Sequence, residues 1–541
     1  MIFGIDLGTS KCAVSRYILD PKGREGEPII VGGQDGFEPS IVYFLDKDEY
    51  YAGRKAWESY LKEPDSGVEL IKVRLGRVED IPVKINGVEE RFKPQFIMSL
   101  MIKYMKNRMY GDSNRAIITV PAYFDQNQRQ ATLEAGELAG LEIIQLIEEP
   151  SAALLYHIFR SYKDGKLSLD EFPQNYLVFD FGGGTLDLSL VKVNVSGGRY
   201  IEPEVLLIGG DPDLGGNLID FEIEKAIVRY IFNLKKDSFT QEVYHAFSEY
   251  YKNYMEEKQL TFKGTTSKRA REFITSLKQA CEETKVKLSD QPHDFIATGG
   301  YLKPIKIRRE DLQNIINQSN IRKRIKDAVS NFLNANNSDK RYSIDRVVLV
   351  GGASRMPYIK TILEDEFPAF RGKIEYVAEA RECVAKGAAL LGAMEEGIKV
   401  PPFGGNSLKS VLAYDIYVEH EGEEKLFISY GERYPFAQPH TYTLRVEHSL
   451  KPYISIKFKE KDFATNKEAL INDIQFYHPC FYTGDKILLQ LKIDEKGIYR
   501  FSAVHVDTNE KINFESEKLY VLSDQERAMY QEYIQKMQDK S

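Results

Sequence analysis

The stretch FDFGGGTLDLSLV, residues 179–191, decides the fold of this 541-residue chain. A buried apolar strand ends at Asp180 and enters a glycine turn, and the next strand alternates leucines with polar residues. The same design occurs near the start of the chain, where IFGID, residues 2–6, is followed by the turn Gly8-Thr9-Ser10 and a return strand. Two hairpins of one design predict a duplicated α/β fold whose halves face each other across a cleft. Two unrelated glycine turns are the alternative, since short glycine patterns are weak evidence alone.

Further strands and turns fit between and after these hairpins. A strand over 115–120 stops at Pro121, and Asp125 with Gln128 three positions later predicts a capped helix start. Glu149 precedes Pro150, which is favoured at the first turn of a helix, so Glu149 is predicted at a helix entrance. A third buried strand, residues 346–350, leads into a third glycine turn at residues 351–355.

The composition and the hydrophobic pattern of the sequence change near residue 400. The segment PPFGGNS, residues 401–407, concentrates residues that break helices and strands, as a linker does. Beyond it, apolar and polar residues alternate over 454–459 and 487–494, which predicts an antiparallel β domain. Ser523 and Glu526 then fit a capping box that opens one helix, predicted to continue to Ser541.

The composition narrows the classes of function. The chain has 73 basic and 81 acidic residues, a net charge of −8, and 43% hydrophobic residues. This mildly acidic balance argues against nucleic acid or a membrane surface as the main partner. The four cysteines are far apart, and the first residues have no basic, hydrophobic leader. We therefore expect a cytoplasmic protein.

The glycine turns suggest how the chain binds phosphate. No G-x-x-x-x-G-K-[ST] loop is present, so a P-loop enzyme is disfavoured. Glycine turns let backbone amides approach phosphate oxygens, and the hydroxyls of Thr9, Ser10 and Thr185 add donors. Asp6 and Asp180 would then face a magnesium ion, which prefers oxygen ligands and keeps several waters. Two aspartates that only cap turns are the alternative.

Six motifs in order resemble the nucleotide-binding domain of the seventy-kilodalton heat-shock chaperone family. They are GIDLGTSK (4–11), ITVPAYFDQNQRQAT (118–132), EEPSAAL (148–154), FDFGGGTLDLSLV (179–191), LGG (214–216) and VLVGGASRMP (348–357). The resemblance implies an α/β actin-like (ribonuclease H-like) duplicated ATPase domain, then a β-sandwich peptide-binding-like domain and a short C-terminal helix. The expected boundaries are 1–398 for the ATPase domain, 399–416 for the linker, 417–521 for the β-sandwich and 522–541 for the helix, a remnant of the family's lid.

The resemblance also assigns roles to residues. Lys72 matches the family's catalytic lysine, with a surface lysine as the alternative, and Glu149, Asp180 and Thr185 complete the catalytic set. Asp6 and Asp180 would hold Mg²⁺ through its bound waters. K⁺ is a further candidate ion. The residues implied to bind ATP or ADP are Gly8, Thr9, Ser10, Gly182, Gly183, Gly184, Thr185, Gly215, Gly216, Glu282, Lys285, Ser289, Gly351, Gly352, Ser354 and Arg355.

The positions that couple the family's two domains match Pro121, Arg129, Val411 and Leu412. For Arg129 the alternative is an ordinary solvated helix residue. The sequence departs from the family pattern at Lys11 and Arg381, and it carries one helix in place of the longer lid. A missing lid would let bound peptide exchange quickly.

Three functions remain open at this point. The first is an ATP-hydrolysing chaperone that binds unfolded or extended polypeptide, assisted by a J-domain cochaperone and a nucleotide exchange factor. The second keeps the ATPase but makes the β domain an adaptor or regulator for one partner. The third is a small-molecule kinase of the same superfamily, against which the appended β domain argues.

Overall fold

The computed structural model describes residues 1–20, 26–32, 36–77, 80–109, 113–257, 266–297, 299–300, 303–338, 342–404, 410–446, 453–462, 467–477, 482–518 and 521–541. Part of the predicted linker, residues 405–409, lies outside these ranges. Among the described residues, no helix combines the length and the apolar character that crossing a membrane requires.

The first lobe, defined as residues 1–163, is built on a mixed sheet. Its strands are β1 Ile2–Leu7, β2 Lys11–Leu19, β3 Gly26–Val31, β4 Phe37–Pro39, β5 Ile41–Asp46, β6 Glu49–Ala52, β7 Gly67–Glu69, β8 Ile81–Ile85, β9 Val88–Phe92, β10 Arg115–Val120 and β11 Glu142–Glu148. Its helices are α1 Gly53–Tyr60, α2 Pro94–Lys106, α3 Gln126–Leu138 and α4 Glu149–Lys163. The main sheet has the order β11-β10-β1-β2-β3, with β1 parallel to β10 and antiparallel to β2.

The second lobe, defined as residues 174–376, repeats this arrangement. Its strands are β12 Gln174–Phe181, β13 Leu186–Ser196, β14 Tyr200–Asp211, β15 His293–Ile296, β16 Ile305–Arg308, β17 Arg346–Val350 and β18 Ile374–Tyr376. Its helices are α5 Gly216–Lys235, α6 Ser238–Glu257, α7 Lys268–Asp290, α8 Arg309–Gln318, α9 Ile321–Ser338 and α10 Pro357–Glu366, and α11 Cys383–Glu395 follows. The sheet order is β14-β13-β12-β17-β18, with β12 parallel to β17 and antiparallel to β13. The two hairpins of the sequence thus occupy equivalent places in two similar sheets.

The third part of the chain is antiparallel β structure, as the alternation predicts. Its strands are β19 Ser410–Val411, β20 Asp415–His420, β21 Glu423–Ile428, β22 Arg433–Tyr434, β23 His440–Arg445, β24 Tyr453–Lys461, β25 Glu468–Tyr477, β26 Lys486–Ile493, β27 Tyr499–His505 and β28 Asn513–Lys518. Two sheets, β21-β20-β24-β25-β28 and β23-β26-β27, contribute side chains to one apolar cluster. We call residues 415–518 the β domain.

The last helix differs from the prediction in length. It is α12, Asp524–Lys536, and its predicted capping box at Ser523 and Glu526 is present. The prediction that it continues to Ser541 is wrong, because residues Gln538–Asp539 form a strand, β29, parallel to β6 of the first lobe. The backbone amides of Gln538 and Lys540 donate to carbonyls at the edge strand of the first lobe. Such a pairing between distant segments cannot be predicted from the local sequence.

The same helix packs on the first lobe. Tyr530 and Ile534 are buried in the core of that lobe, and the rings of Tyr530 and Tyr533 stack on Phe96 at centroid distances of 4.7 and 5.3 Å. Arg527 donates to Glu134 at 3.0 Å. Burial of these side chains and the aromatic stacking both favour the attached position of α12.

Candidate active site

The two glycine turns that follow β1 and β12 meet at the floor of a cleft between the lobes. A Cβ atom added to Gly183 would lie 2.5 Å from Ser10 Oγ, and one added to Gly184 would lie 2.7 Å from Thr9 Oγ1. Such distances leave no room for a side chain, so glycine is required where the lobes touch. The turns are therefore close enough to contact one ligand from both sides.

Most of the predicted site residues line this cleft. They are Asp6, Gly8, Thr9, Ser10, Glu149, Asp180, Gly182, Gly183, Thr185, Gly216, Glu282, Lys285, Ser289, Gly351, Gly352 and Arg355. The two positions that depart from the family pattern, Lys11 and Arg381, line it as well. The predicted residues that do not line it are Lys72, Gly184, Gly215 and Ser354.

Three of these residues are buried and contact residues that line the cleft. Lys72 is 3% exposed, which contradicts the alternative of a surface lysine, and it forms an ion pair with Glu149. Ser354 is buried and donates to the carbonyl of Gly351 at 2.8 Å. Gly215 packs on the backbone of Gly183, where a Cβ atom would come within 2.4 Å of the carbonyl oxygen.

Carboxylates crowd around the single charge of Lys72. Burial raises the pKa of Asp6 to about 7, with a further contribution from Glu149, and burial raises the pKa of Asp180 well above its ordinary value. Burial alone would lower the pKa of Lys72, but Glu149 and Asp6 outweigh it and hold that pKa above the ordinary lysine value. The lysine therefore stays charged, and when the surrounding carboxyls ionise the site has a deficit of positive charge.

This deficit fits a cation bound with an anionic ligand. Within the described ranges, no group of three or more His, Cys, Asp or Glu side chains is arranged to hold a metal ion directly. Mg²⁺ commonly binds through one or two carboxylates, phosphate oxygens and water. Asp6 and Asp180, which face the cleft from the two lobes, suit that mode of binding.

Asp187 is a site residue that the sequence analysis missed. It is 1% exposed, accepts a hydrogen bond from Thr185 Oγ1 at 2.6 Å, and has a pKa raised to about 7 by burial and by Glu149. Its other oxygen accepts from the backbone amide of Tyr123 at 3.3 Å. A signal was present: Thr185, Asp187 and Ser189 place polar groups on one face of an apolar strand.

The helix α7 forms one wall of the cleft. Glu282, Lys285 and Ser289 line it, and their spacing of three and four residues puts them on one face of the helix. Lys285 already has partners within the second lobe, since its Nζ donates to Asp220 at 2.5 Å and to the carbonyl of Gly216 at 3.1 Å. On the facing wall, Gly351 has φ +82° and lies so close to Asp180 that a Cβ atom would be 2.5 Å from its Oδ1.

A buried polar cluster lies behind the site, where the lobe meets the β domain. Arg129 is 6% exposed, so the alternative of a solvated arginine is wrong, and its Nη2 donates to Glu148 at 3.0 Å. The same oxygen of Glu148 accepts from Ser410 Oγ at 2.8 Å and from the Tyr434 hydroxyl at 2.9 Å. Glu148 and Glu149 are neighbours in the chain, so one junction between β11 and α4 serves both the cluster and the cleft.

The predicted coupling residues Val411 and Leu412 are both buried, but in different cores. Val411 belongs to the apolar cluster that includes residues of α4 in the first lobe and of α11. Leu412 belongs to a cluster with Ile416, Ile428 and other residues of the β domain. Pro121 ends β10 and its carbonyl accepts from the amide of Phe124 at 3.2 Å.

Comparison with known proteins gives a consistent result. The family model described as "Hsp70 protein" matches residues 2–541. Two similar relatives are named chaperone protein DnaK: the one from Elusimicrobium minutum is 29% identical over 99% of this chain and 80% of its own length, and the one from Nitrosopumilus maritimus is 27% identical over 97% and 76%. A third, from Thermoplasma acidophilum, is 31% identical over 73% of this chain and 58% of its own length. With the family model covering nearly the whole chain, and with the resemblance of the six motifs confirmed, this protein belongs to the Hsp70 family.

Proposed function

We propose that the protein is an ATP-dependent chaperone that hydrolyses ATP in the cleft and binds unfolded or extended polypeptide through its β domain. The observation that carries the proposal is the meeting of two glycine turns beside Asp6, Asp180 and the Lys72–Glu149 pair. The family consists of ATPases, and two relatives that overlap 97% or more of this chain carry the chaperone name. We assign the ATPase domain to residues 1–398, the linker to 399–416, the peptide-binding β-sandwich to 417–521 and the lid remnant to 522–541.

The proposed chemistry needs positioning and charge more than covalent catalysis. Backbone amides of the turns, with the hydroxyls of Thr9, Ser10 and Thr185, would hold the phosphates, and Mg²⁺ with its waters would lie against Asp6 and Asp180. Glu149 would accept a hydrogen bond from the attacking water. Lys72 would stabilise the charge that develops on the transferred phosphoryl group. K⁺ is a further candidate ion in the cleft.

The nucleoside is proposed to lie between α7 and the third glycine turn. Glu282 and Lys285 would contact the ribose, and Ser289 the base, with Gly351 and Arg355 on the opposite wall. Lys285 is already paired with Asp220, so it would donate to the ribose while keeping its hydrogen bond to Asp220. Lys285 has three donors, so it can serve both partners.

The test of the proposed function is the rate of ATP hydrolysis by the purified chain. We expect slow turnover that rises when an unfolded peptide or a J-domain protein is added, because partner binding is proposed to act through the polar cluster at Glu148. A folded protein is the matched control for the unfolded peptide. A turnover rate that stays the same across several unfolded peptides and J-domain proteins would contradict the proposal.

A second prediction concerns the linker. Replacing Val411 with aspartate is expected to detach the β domain from the lobes, because the change buries a charge in an apolar cluster where Val411 is 1% exposed. Proteolytic cleavage within the segment 399–416 should become at least about tenfold faster, since open segments are cut in proportion to their population. ATP turnover of this variant should no longer respond to peptide.

The matched control is Leu426→Asp. Leu426 lies on β21 of the β domain and is 48% exposed, so a charge there stays in water. This variant should keep the cleavage rate and the peptide response of the unaltered chain. Equal cleavage rates for Val411→Asp and Leu426→Asp would show that the linker does not hold the domains together.

A further inference from the structure

A second cavity lies beside the cleft and shares part of its lining. Thr9, Ser10 and Asn217 line both cavities, so the second opens directly onto the glycine turns. Its wall includes Trp57, the single tryptophan of the chain, and the oppositely charged residues Glu69 and Lys278. This cavity therefore lies between the two lobes on the side of α7.

Glu69 and Lys278 form a buried ion pair across this gap. Lys278 Nζ lies 2.6 Å from Glu69 Oε1, and the side chains are 10% and 7% exposed. Glu69 is on β7 of the first lobe, whereas Lys278 is on α7 of the second lobe. The same Glu69 oxygen accepts from the Tyr60 hydroxyl at 2.9 Å and from the Tyr250 hydroxyl, which belongs to the second lobe, at 3.4 Å. Two of the three donors to Glu69 thus reach it from the other side of the gap.

The neighbouring charges leave Lys278 dependent on Glu69. Lys278 acts electrostatically on Asp220 of α5, but the side chain of Asp220 is paired with Lys285 at 2.5 Å. Glu224 is fully buried, and neither of its oxygens has a hydrogen-bond partner among the described residues. Burial raises the pKa of Glu224 well above its ordinary value despite the charge of Lys278, so the ionised form of this carboxyl is disfavoured. Glu69 is the carboxylate that contacts Lys278 directly.

The dependence is not symmetric. Arg74, which is also buried in the first lobe, acts electrostatically on Glu69. If the lobes separate, Glu69 keeps Arg74 nearby, whereas Lys278 loses its ionised partner. The free-energy cost of separation therefore falls on the second lobe, because a buried charge that loses its partner is strongly unfavourable.

Lys278 also shares a helix with residues of the cleft. Lys278 and Lys285 are seven positions apart on α7, so they lie on one face, and Glu282 lies between them. An anchor at Lys278 fixes the helix that carries the proposed ribose contacts. Release of the anchor would let α7 move away from the glycine turns of the first lobe.

We propose that Glu69 and Lys278 are positioning residues that hold the two lobes closed over bound nucleotide and thereby set the rate of nucleotide release. The inference rests on the proposed function for the identity of the ligand. Neither residue contacts the reacting groups, so their effect should appear in nucleotide retention and cleft opening, and much less in the hydrolysis step.

The test measures the dissociation of a fluorescent ADP analogue, displaced by excess ATP in the presence of Mg²⁺. Lys278→Met should release the analogue about tenfold faster or more, because the bridge across the gap is lost while Glu69 keeps Arg74. Tyr250→Phe removes the hydroxyl that reaches Glu69 from the second lobe and leaves the ring in place, and it should accelerate release about twofold to threefold. Lys278→Arg, which keeps the positive charge, should release the analogue at close to the original rate.

The matched control is Lys225→Met. Lys225 forms an ion pair with Glu222 at 3.0 Å, and both residues are on α5 of the second lobe. Replacing Lys225 therefore removes a lysine ion pair that does not connect the two lobes. This variant should release the analogue at the original rate. The single-turnover hydrolysis rate should change less than about twofold in Lys278→Met, which separates retention from chemistry.

A second measurement does not need nucleotide. Quenching of Trp57 fluorescence by acrylamide in the ligand-free protein should increase in Lys278→Met and not in Lys225→Met, because Trp57 lines the same cavity. If the unaltered chain binds no ADP, the proposed function fails, and quenching still decides whether the pair closes the gap. Unchanged quenching, or an analogue release rate within twofold of the original in folded Lys278→Met, would overturn the inference.

Discussion

Replacing Lys72 with alanine is expected to lower the single-turnover rate of ATP hydrolysis by about 10²–10³-fold, the effect of removing a group that stabilises charge in a transition state. Lys72 is buried, and Glu149 and Asp6 keep it charged. Its ion pair with Glu149 also orients the proposed partner of the attacking water. The change should therefore remove both a positive charge and the order of the acidic groups around it.

Two further measurements distinguish catalysis from folding in this variant. Magnesium-dependent binding of ATP, followed by calorimetry, should persist, because the backbone amides of the glycine turns do not depend on Lys72. Lys225→Ala, which removes a lysine that does not line the cleft, should hydrolyse ATP at the original rate. Normal hydrolysis by folded Lys72→Ala would show that the catalytic assignment is wrong.

Replacing Asp180 with asparagine is expected to have two opposite effects. Affinity for ATP in the presence of Mg²⁺ should fall about 100-fold, or about 2.7 kcal/mol, because one of the two proposed acidic contacts of the ion is lost. The melting temperature of the ligand-free protein should rise at pH 8. Burial and the nearby Glu149, Asp187 and Asp6 raise the pKa of Asp180 well above its ordinary value, so its ionised form is unfavourable in the folded state.

The sign of the pH dependence follows from that shift. A carboxyl whose pKa is higher in the folded state than in the unfolded state binds more protons when folded, so stability falls as pH rises above the unfolded value of 3.8. The gain in stability from Asp180→Asn should therefore be large at pH 8 and vanish near pH 4. Asp294→Asn, outside the cleft, should leave the magnesium dependence of ATP binding unchanged. A ligand-free Asp180→Asn protein that melts at a lower temperature at pH 8 would contradict the account of the crowded site.

The hairpins and their turns could be predicted because their determinants are local. The four residues before Asp180, 176–179, are apolar or aromatic, glycines form the turn after the strand, and the next strand alternates. The helix start at Asp125 was predictable for the same reason, and its capping box is present. Each of these features depends on residues within a few positions of one another, where backbone preferences are strong.

Features that depend on distant contacts could not be predicted. The side chains of Tyr530 and Ile534 suggest a buried face on α12, but nothing in the sequence says that the partner is Phe96 of the first lobe. The sequence likewise places Glu148 beside Glu149 without showing that one faces the β domain and the other the cleft. Within the candidate site, Lys285 lines the cleft, but its partner Asp220 is 65 positions away in the sequence.

Val411 and Leu412 also limit how the lobes and the β domain can be joined. Neighbouring residues of an extended chain point to opposite sides, and here one side belongs to the lobes and the other to the β domain. Insertion of one residue between Val411 and Leu412 would exchange the two sides for everything that follows. The number of residues in this junction therefore cannot change. Chimaeras that join another β domain to these lobes must keep the same number of residues at Val411 and Leu412.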